Sequence, residues 1–310
     1  MRKSFLILAL ALLVVSFALP GAARSKMGLW DLYENFFVNA KYVDLTHAFT
    51  PDIPVWPGFG NAKFEPTKAG ADLGDYASKG DVFTYEKHGF IATTYYIPTD
   101  QYGTQLDPPA HWDAYYPTID ELPATYCIRP LVVIDIHEKV AKNPGYHCSM
   151  KDVEAWEKKH GIIPEGSVVM VRSDWSKMWP SKEKCGAFPF PGVDLKSIKF
   201  LQEERHILFH GHEPLDTDTT PDLEGEYWLM HNGYCQAEGV SNLWMVPEVG
   251  ALIAIGYAKP KGGAGGYARY IAICPPDWEY GVSIDEVPGA PLPKSDKPLH
   301  YDKAMGMRVR

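Results

Sequence analysis

The densest run of chemically useful side chains is Gln101-Tyr102-Gly103-Thr104-Gln105-Leu106-Asp107-Pro108-Pro109-Ala110-His111. Side chains alternate between faces along an extended chain, which places Gln101, Gln105, Asp107 and His111 on one side. Gly103 allows close approach to the backbone, and Pro108-Pro109 stiffen the exit. A carboxylate, two amide oxygens and an imidazole converging in this way suit a divalent-metal site with an acid/base beside it. The competing reading is a polar loop whose side chains bond its own backbone. Spacing by itself leaves both open.

Other polar runs are weaker. His210 and His212 would share a face of a strand, a spacing that can grip a metal. Histidines at the surface of a strand end are the commoner explanation, and that is the expectation here. Gly262-Gly263-Ala264-Gly265-Gly266 does not spell G-x-G-x-x-G, and no helix follows it. It reads as a backbone turn near the pocket. No G-x-S-x-G elbow exists, which disfavours a serine hydrolase. Cys127, Cys148, Cys185, Cys235 and Cys274 show no CxxC spacing, so a thiolate zinc site has little support. An oxidising compartment would allow one or two disulfides. All five are taken as structural. Trp56, Trp112, Trp175 and Trp179 read as core.

The elements that must position these residues are short. Leu131–Ile136 and Val168–Val171 are β-branched apolar runs bounded by Pro, Gly or charge, as buried strands are. Ile207–Phe209, Ala251–Ile255 and Tyr270–Ile273 read likewise, and 89–99 is extended. Ser149 with Asp152 starts a helix that His160-Gly161 stops. A second helix begins at Asp194 and runs past Leu201, and a third lies near Glu226 to Gly233. The chain is therefore α/β with a mixed sheet. No internal repeat or low-complexity linker divides it, so one domain is expected over 27–310.

Composition narrows the function classes. The 310 residues are 45% hydrophobic and 22% charged, which fits a folded soluble domain. The net charge of −9 and the absence of any basic block exclude a nucleic-acid partner. Arg2 and Lys3, the apolar run Phe5 to Ala18 and Pro20-Gly21-Ala22-Ala23 have the pattern of a secretory signal peptide over 1–23, with Ser25 as a second cleavage option. The apolar run is short for a membrane span. Its removal takes off two basic residues and no acid, moving the net charge from −9 to −11. An exported protein, periplasmic or secreted, with no membrane attachment after cleavage, is expected.

At Gln101–His111 the sequence resembles the cyclase family of metal-dependent hydrolases, which includes kynurenine formamidases and isatin hydrolases. The family motif H-x-G-T-H-x-D-x-P-x-H stands here as Q-Y-G-T-Q-L-D-P-P-A-H. Asp44-Leu45-Thr46-His47, Pro54-Val55-Trp56-Pro57-Gly58, Arg172-Ser173-Asp174-Trp175, Phe188–Gly192, Gly211–Asp218 and Glu238–Leu243 are similar to its other landmarks, in order. The resemblance implies a single-domain swivelling β/β/α fold and a homodimer or homotetramer. It also implies a divalent metal, usually zinc or manganese, held by the motif histidines, the motif aspartate, a later histidine and a glutamate. Carried over by position, the ligands are Gln101, Gln105, Asp107, Glu226 and Glu238. Three imidazoles have thus become oxygen donors; His231 lies nearby but out of register. An oxygen-rich set favours Mn²⁺ over Zn²⁺. His111 takes the family's general acid/base role, and Trp56 would wall a flat substrate.

The expected activity is hydrolysis of a C–N bond in a small amide, formamide or cyclic imide/lactam. The metal would polarise the carbonyl and activate a bound water, with His111 moving the proton. The alternatives are an exported binding protein on the same scaffold, which needs no metal, and a ring-forming or dehydrating enzyme.

Overall fold

Eight strands, read from a computed structural model that describes residues 28–310, form one mixed sheet. They are β1 (Lys41–Asp44), β2 (Gln105–Asp107), β3 (Ile128–Asp135), β4 (Val168–Arg172), β5 (Phe209–His212), β6 (Cys235–Glu238), β7 (Ala251–Tyr257) and β8 (Gly266–Cys274). The order is β1-β8-β7-β3-β4-β5-β6-β2, and β2 pairs back onto β8. Seven strands therefore close on themselves, while β1 lies along the second half of the β8 edge that β2 occupies at its start. Strands β3 to β6 run parallel; β7, β8 and β2 are antiparallel to their neighbours. Closure removes the open edges that a sheet this size would otherwise present.

The period of two along each strand sorts side chains into two cores. Leu106, Val133, Val168, Met170, Phe209, Ala237, Ile253 and Tyr270 fill the inside of the closed sheet. Val132, Ile134, Val169 and Val171 face outward and pack under α1 (Met150–His160) and α2 (Leu195–Glu203) through Val153, Trp156, Ile198 and Leu201. Each such large apolar side chain stabilises the fold by about 1.5–3 kcal/mol on burial. The Trp156 indole N–H also donates to the Val133 carbonyl at 3.0 Å. Helix α1 starts and stops where expected: Asp152 Oδ2 accepts the Ser149 N–H at 2.8 Å, and Gly161 follows at φ 95°.

The mixed α/β single domain is as the sequence implies, and the compact unit that holds it spans Asn39–Arg310. The preceding helix, Leu29–Asn35, buries none of its residues. The expected signal segment, 1–23, lies outside the described residues. One strand is displaced. Ile207–Phe209 was expected, but His206 takes a left-handed φ of 49°, and the chain joins the sheet only at Phe209. None of the five cysteines is paired.

Candidate active site

On β2, β5 and β6 the outward positions are polar. Gln105 and Asp107, His210 and His212, and Gln236 and Glu238 are the residues that alternation turns away from Leu106, Phe209 and Ala237. The antiparallel register sets Glu238 opposite Gln105 and Gln236 opposite Asp107. Here the outer layer is α3 (Glu224–His231), which brings Glu226. Asp218 fixes its start, with Oδ2 accepting the Gly225 N–H at 2.8 Å.

Gln101 reaches the same place by a different route from the expected alternation. Only Gln105–Asp107 is strand; Gly103 sits at φ 83° and Pro109–His111 is a 3-10 turn. The glycine run 262–266 packs behind Gln101. The Ala264 and Gly265 N–H groups donate to Asp100 Oδ2 at 2.8 and 2.9 Å, and a Cβ at Gly265 would lie 2.5 Å from Gln101 Cγ.

The amides then organise the acids. Gln101 Nε2 donates to Asp107 Oδ1 at 3.1 Å and to His111 Nε2 at 2.9 Å. Gln105 Nε2 donates to Asp107 Oδ2 at 3.2 Å and to Glu238 Oε2 at 2.9 Å. Each NH₂ group spends both hydrogens, and the Gln101 amide occupies the single lone pair of His111 Nε2. Gln236 Nε2 donates to Glu238 Oε1 at 2.9 Å, the Thr217 hydroxyl donates to Gln236 Oε1, and Thr217 meets His212 Nε2 at 3.2 Å. The Trp112 indole N–H donates to Glu226 Oε1 at 3.0 Å, and His111 Nε2 lies 3.6 Å from that oxygen.

These groups border a cavity of about 390 Å³. Gln101, Gln105, His111, Asp216, Glu226 and Glu238 supply its polar side; Val55, Trp56, Phe59, Trp112, Leu215 and Leu223 supply the apolar side. Asp107 is fully buried behind the glutamines and does not line it. One carboxylate oxygen from each of Asp216, Glu226 and Glu238 lies within 4.8 Å of the others.

No Lys or Arg among the described residues pairs with Asp107, Asp216, Glu226 or Glu238. Burial first, then mutual repulsion, raises Asp216 to about 7 and Glu226 to about 8, and pushes Glu238 well above the carboxylate range. Burial also raises Asp107. A bound cation would reverse this, because acids facing a divalent charge ionise readily. The donors are all oxygen, so the residues present fit a hard cation of the manganese, magnesium or calcium kind.

Of the predicted residues, Gln101, Gln105, His111, Glu226, Glu238 and Trp56 meet at this cavity. Sequence reasoning missed Asp216, which follows β5 in a loop with no periodic signal. It also placed Trp112 in the core, whereas this side chain lines the cavity; Trp56 is likewise 45% exposed, and only Trp175 of the four tryptophans is buried. His210 and His212 are corrected too. Both are buried at 1% exposure rather than at a surface; the chain after β5 turns back on this face, with the Pro214 carbonyl and the Thr217 hydroxyl each 3.2 Å from the His212 ring.

Residues 43–219, more than half of the chain, match the model of the Cyclase family. The chain belongs to that family. It is 26% identical to isatin hydrolase of Roseibium aggregatum over 255 residues, 75% of this chain and 91% of the relative. The solved structure of isatin hydrolase A from Labrenzia aggregata bound to benzyl benzoate superposes with a TM-score of 0.67 at 26% identity, over 80% of this chain and 97% of that one. Isatin hydrolase A from Ralstonia solanacearum gives 0.64 at 25%, over 76% and 92%.

Proposed function

We propose that this member of the cyclase family is a metal-dependent hydrolase that opens the C–N bond of a small aromatic amide, with a cyclic imide or lactam of the isatin type favoured over an open formamide. The observation that carries the reading is His111. Its Nε2 sits at a carboxylate-lined, aromatic-walled cavity, where the Gln101 amide covers it at 2.9 Å and a water can take that amide's place. The similarity to isatin hydrolases supports the cyclic substrate.

Gln101, Gln105, Glu226 and Glu238, four of the five ligands the resemblance implies, border the cavity and would hold the cation, Mn²⁺ before Zn²⁺; the fifth, Asp107, is buried behind the glutamines. Such an ion polarises a carbonyl and lowers the pKa of water beside it. With the Gln101 amide displaced from His111 Nε2 by the incoming water, His111 takes a proton from that water as its oxygen bonds to the carbonyl carbon, and returns the proton to the nitrogen as the C–N bond breaks. The product is a carboxylate and the freed nitrogen, an amine from a lactam or formamide and an amide from an imide. Trp56 and Phe59, with ring centroids 5.3 Å apart, and Trp112 give a flat substrate an apolar wall.

The reading extends to an exported, homo-oligomeric enzyme whose only other partner is its small substrate. The basic, apolar and small-residue pattern of 1–23 supports export. Among the described residues no helix is long and apolar enough to cross a membrane.

The test is elemental mass spectrometry of mature protein purified without chelator, followed by assays on isatin-like imides, lactams and aryl formamides. About one equivalent of divalent metal and turnover of an imide or lactam is the expected result. Tight binding of these compounds with no turnover at any metal loading would replace the hydrolase with a binding protein.

A further inference from the structure

Asp107 and Asp216 are both acids of this site, and the fold treats them in opposite ways. Both oxygens of Asp107 accept amide hydrogens, one from Gln101 and one from Gln105, and the carboxylate has no exposed surface and no face on the cavity. Asp216 lines the cavity and accepts no hydrogen bond from any described residue. Glu226 accepts one hydrogen bond, from Trp112 at Oε1, with His111 Nε2 lying 3.6 Å from the same oxygen, and no described residue donates to its second oxygen. Glu238 is held by Gln236 and Gln105, one donor on each oxygen, which leaves a lone pair on each.

We infer that Asp216, Glu226 and Glu238 are the charged ligands of the cation, and that Asp107 is no ligand but the anchor that orients the two glutamine amides. The inference rests on the hydrolase reading in one respect, that a cation is bound at all.

The geometry accounts for the replaced histidines as well. An imidazole that binds metal needs a partner on its other nitrogen to orient it. A glutamine is oriented through its NH₂ instead, and Asp107 supplies an acceptor to each. Gln101 Oε1 and Gln105 Oε1 then have no hydrogen-bond partner among the described residues, while both side chains border the cavity. The charge that binds the ion moves from the motif aspartate to the three carboxylates around the cavity. A divalent ion there would face three negative charges within one 4.8 Å cluster, enough to neutralise it.

The probe is Tb³⁺, a hard oxygen-seeking ion whose emission is sensitised by a nearby indole. Trp112, bonded to Glu226, is in place to serve. Full mature chain would be titrated with Tb³⁺ under tryptophan excitation, then displaced with Mn²⁺ and Zn²⁺. The comparison is between Asp216→Asn and Asp107→Asn, which remove the same charge at the two positions. The expected result is saturable emission in the parent. Asp216→Asn should weaken it by roughly 100-fold or more, and Asp107→Asn by about tenfold, the loss typical of an orienting partner.

Unchanged affinity in Asp216→Asn would overturn the assignment on its own, whether or not the Asp107 variant folds. So would a larger loss from Asp107→Asn than from Asp216→Asn, with both folded by circular dichroism. No emission and no bound metal in the parent would remove the cation and this assignment together. Emission that is insensitive to Asp216 would remove the assignment and leave the hydrolase standing.

Discussion

Gln105 and Glu238 stand opposite each other across the antiparallel pair of β2 and β6, and the glutamine Nε2 donates to Glu238 Oε2 at 2.9 Å. The same nitrogen donates to Asp107, so one neutral amide separates two buried carboxyl groups. A buried acid without such a donor or a counter-charge is costly, and this contact makes the pair tolerable before any ion arrives.

Gln105→Glu removes that donor and adds a further acid. Leaving the buried acceptors unsatisfied should cost about 1–3 kcal/mol, or roughly 2–4 °C in Tm per kcal/mol for a chain this long. Saturating Mn²⁺ should raise the Tm of this variant more than that of the parent. Calorimetry showing an unchanged metal-free Tm would mean the amide does not bridge the acids.

The raised acids make stability depend on pH in a stated direction. Carboxylates in an unfolded chain titrate near about 4, whereas burial and the neighbouring acids lift Asp216 to about 7 and Glu226 to about 8. The folded state therefore keeps protons that the unfolded state has lost, and the unfolded chain binds fewer protons across that interval. Stability is complete below the unfolded values and is lost as pH rises through about 7 and about 8. Burial depresses His47, His210 and His212, which lose stability toward acid over the same range, so the acids are read by difference. Relative to Asp216→Asn, chelator-treated parent should lose Tm between about pH 5 and about pH 8, and divalent cation should shrink that loss. A Tm difference between parent and Asp216→Asn that stays constant with pH over this range would contradict the arrangement of acids.

His111→Ala should lower kcat/KM by roughly 10²–10⁴-fold if the imidazole moves the proton. Bound metal, read by elemental mass spectrometry, should stay near the parent level because His111 is not among the assigned ligands. A parental rate would take His111 out of the mechanism.

Gly265→Ala tests how Gln101 is placed. The added Cβ would sit 2.5 Å from Gln101 Cγ and 3.2 Å from the Asp100 carbonyl oxygen, so the side chain must move. With His111 and Asp107 losing a shared donor, kcat/KM should drop by at least about tenfold while the far-ultraviolet spectrum is kept. Parental kinetics would show that the glycine run does not set the position of Gln101.

Trp56→Ala removes part of the apolar wall and no reacting group. Loss of a half-exposed ring should cost roughly 1 kcal/mol of substrate binding, about fivefold in KM with kcat retained. A fall in kcat at constant KM would instead place Trp56 among groups that act in the transition state.

The sequence by itself determined the element types and the family. Apolar runs such as Val168–Val171 carry strand structure in their β-branched composition, and Ser149, Asp152 and Gly161 carry the ends of a helix in local hydrogen-bonding chemistry. The ordered motif from Asp44 to Leu243 named the family and all but one of the polar residues that meet around the cavity. Tertiary structure decided which atoms face one another. The register of β2 against β6 joins residues more than a hundred positions apart, and no local rule specifies it. It turns Gln105 toward Glu238, leaves Asp107 behind the amides and buries His210 and His212 under a loop. Asp216 was invisible in sequence for the same reason: an acid in an irregular loop has no periodicity. Its role comes only from the carboxylates that the closed sheet and α3 place beside it.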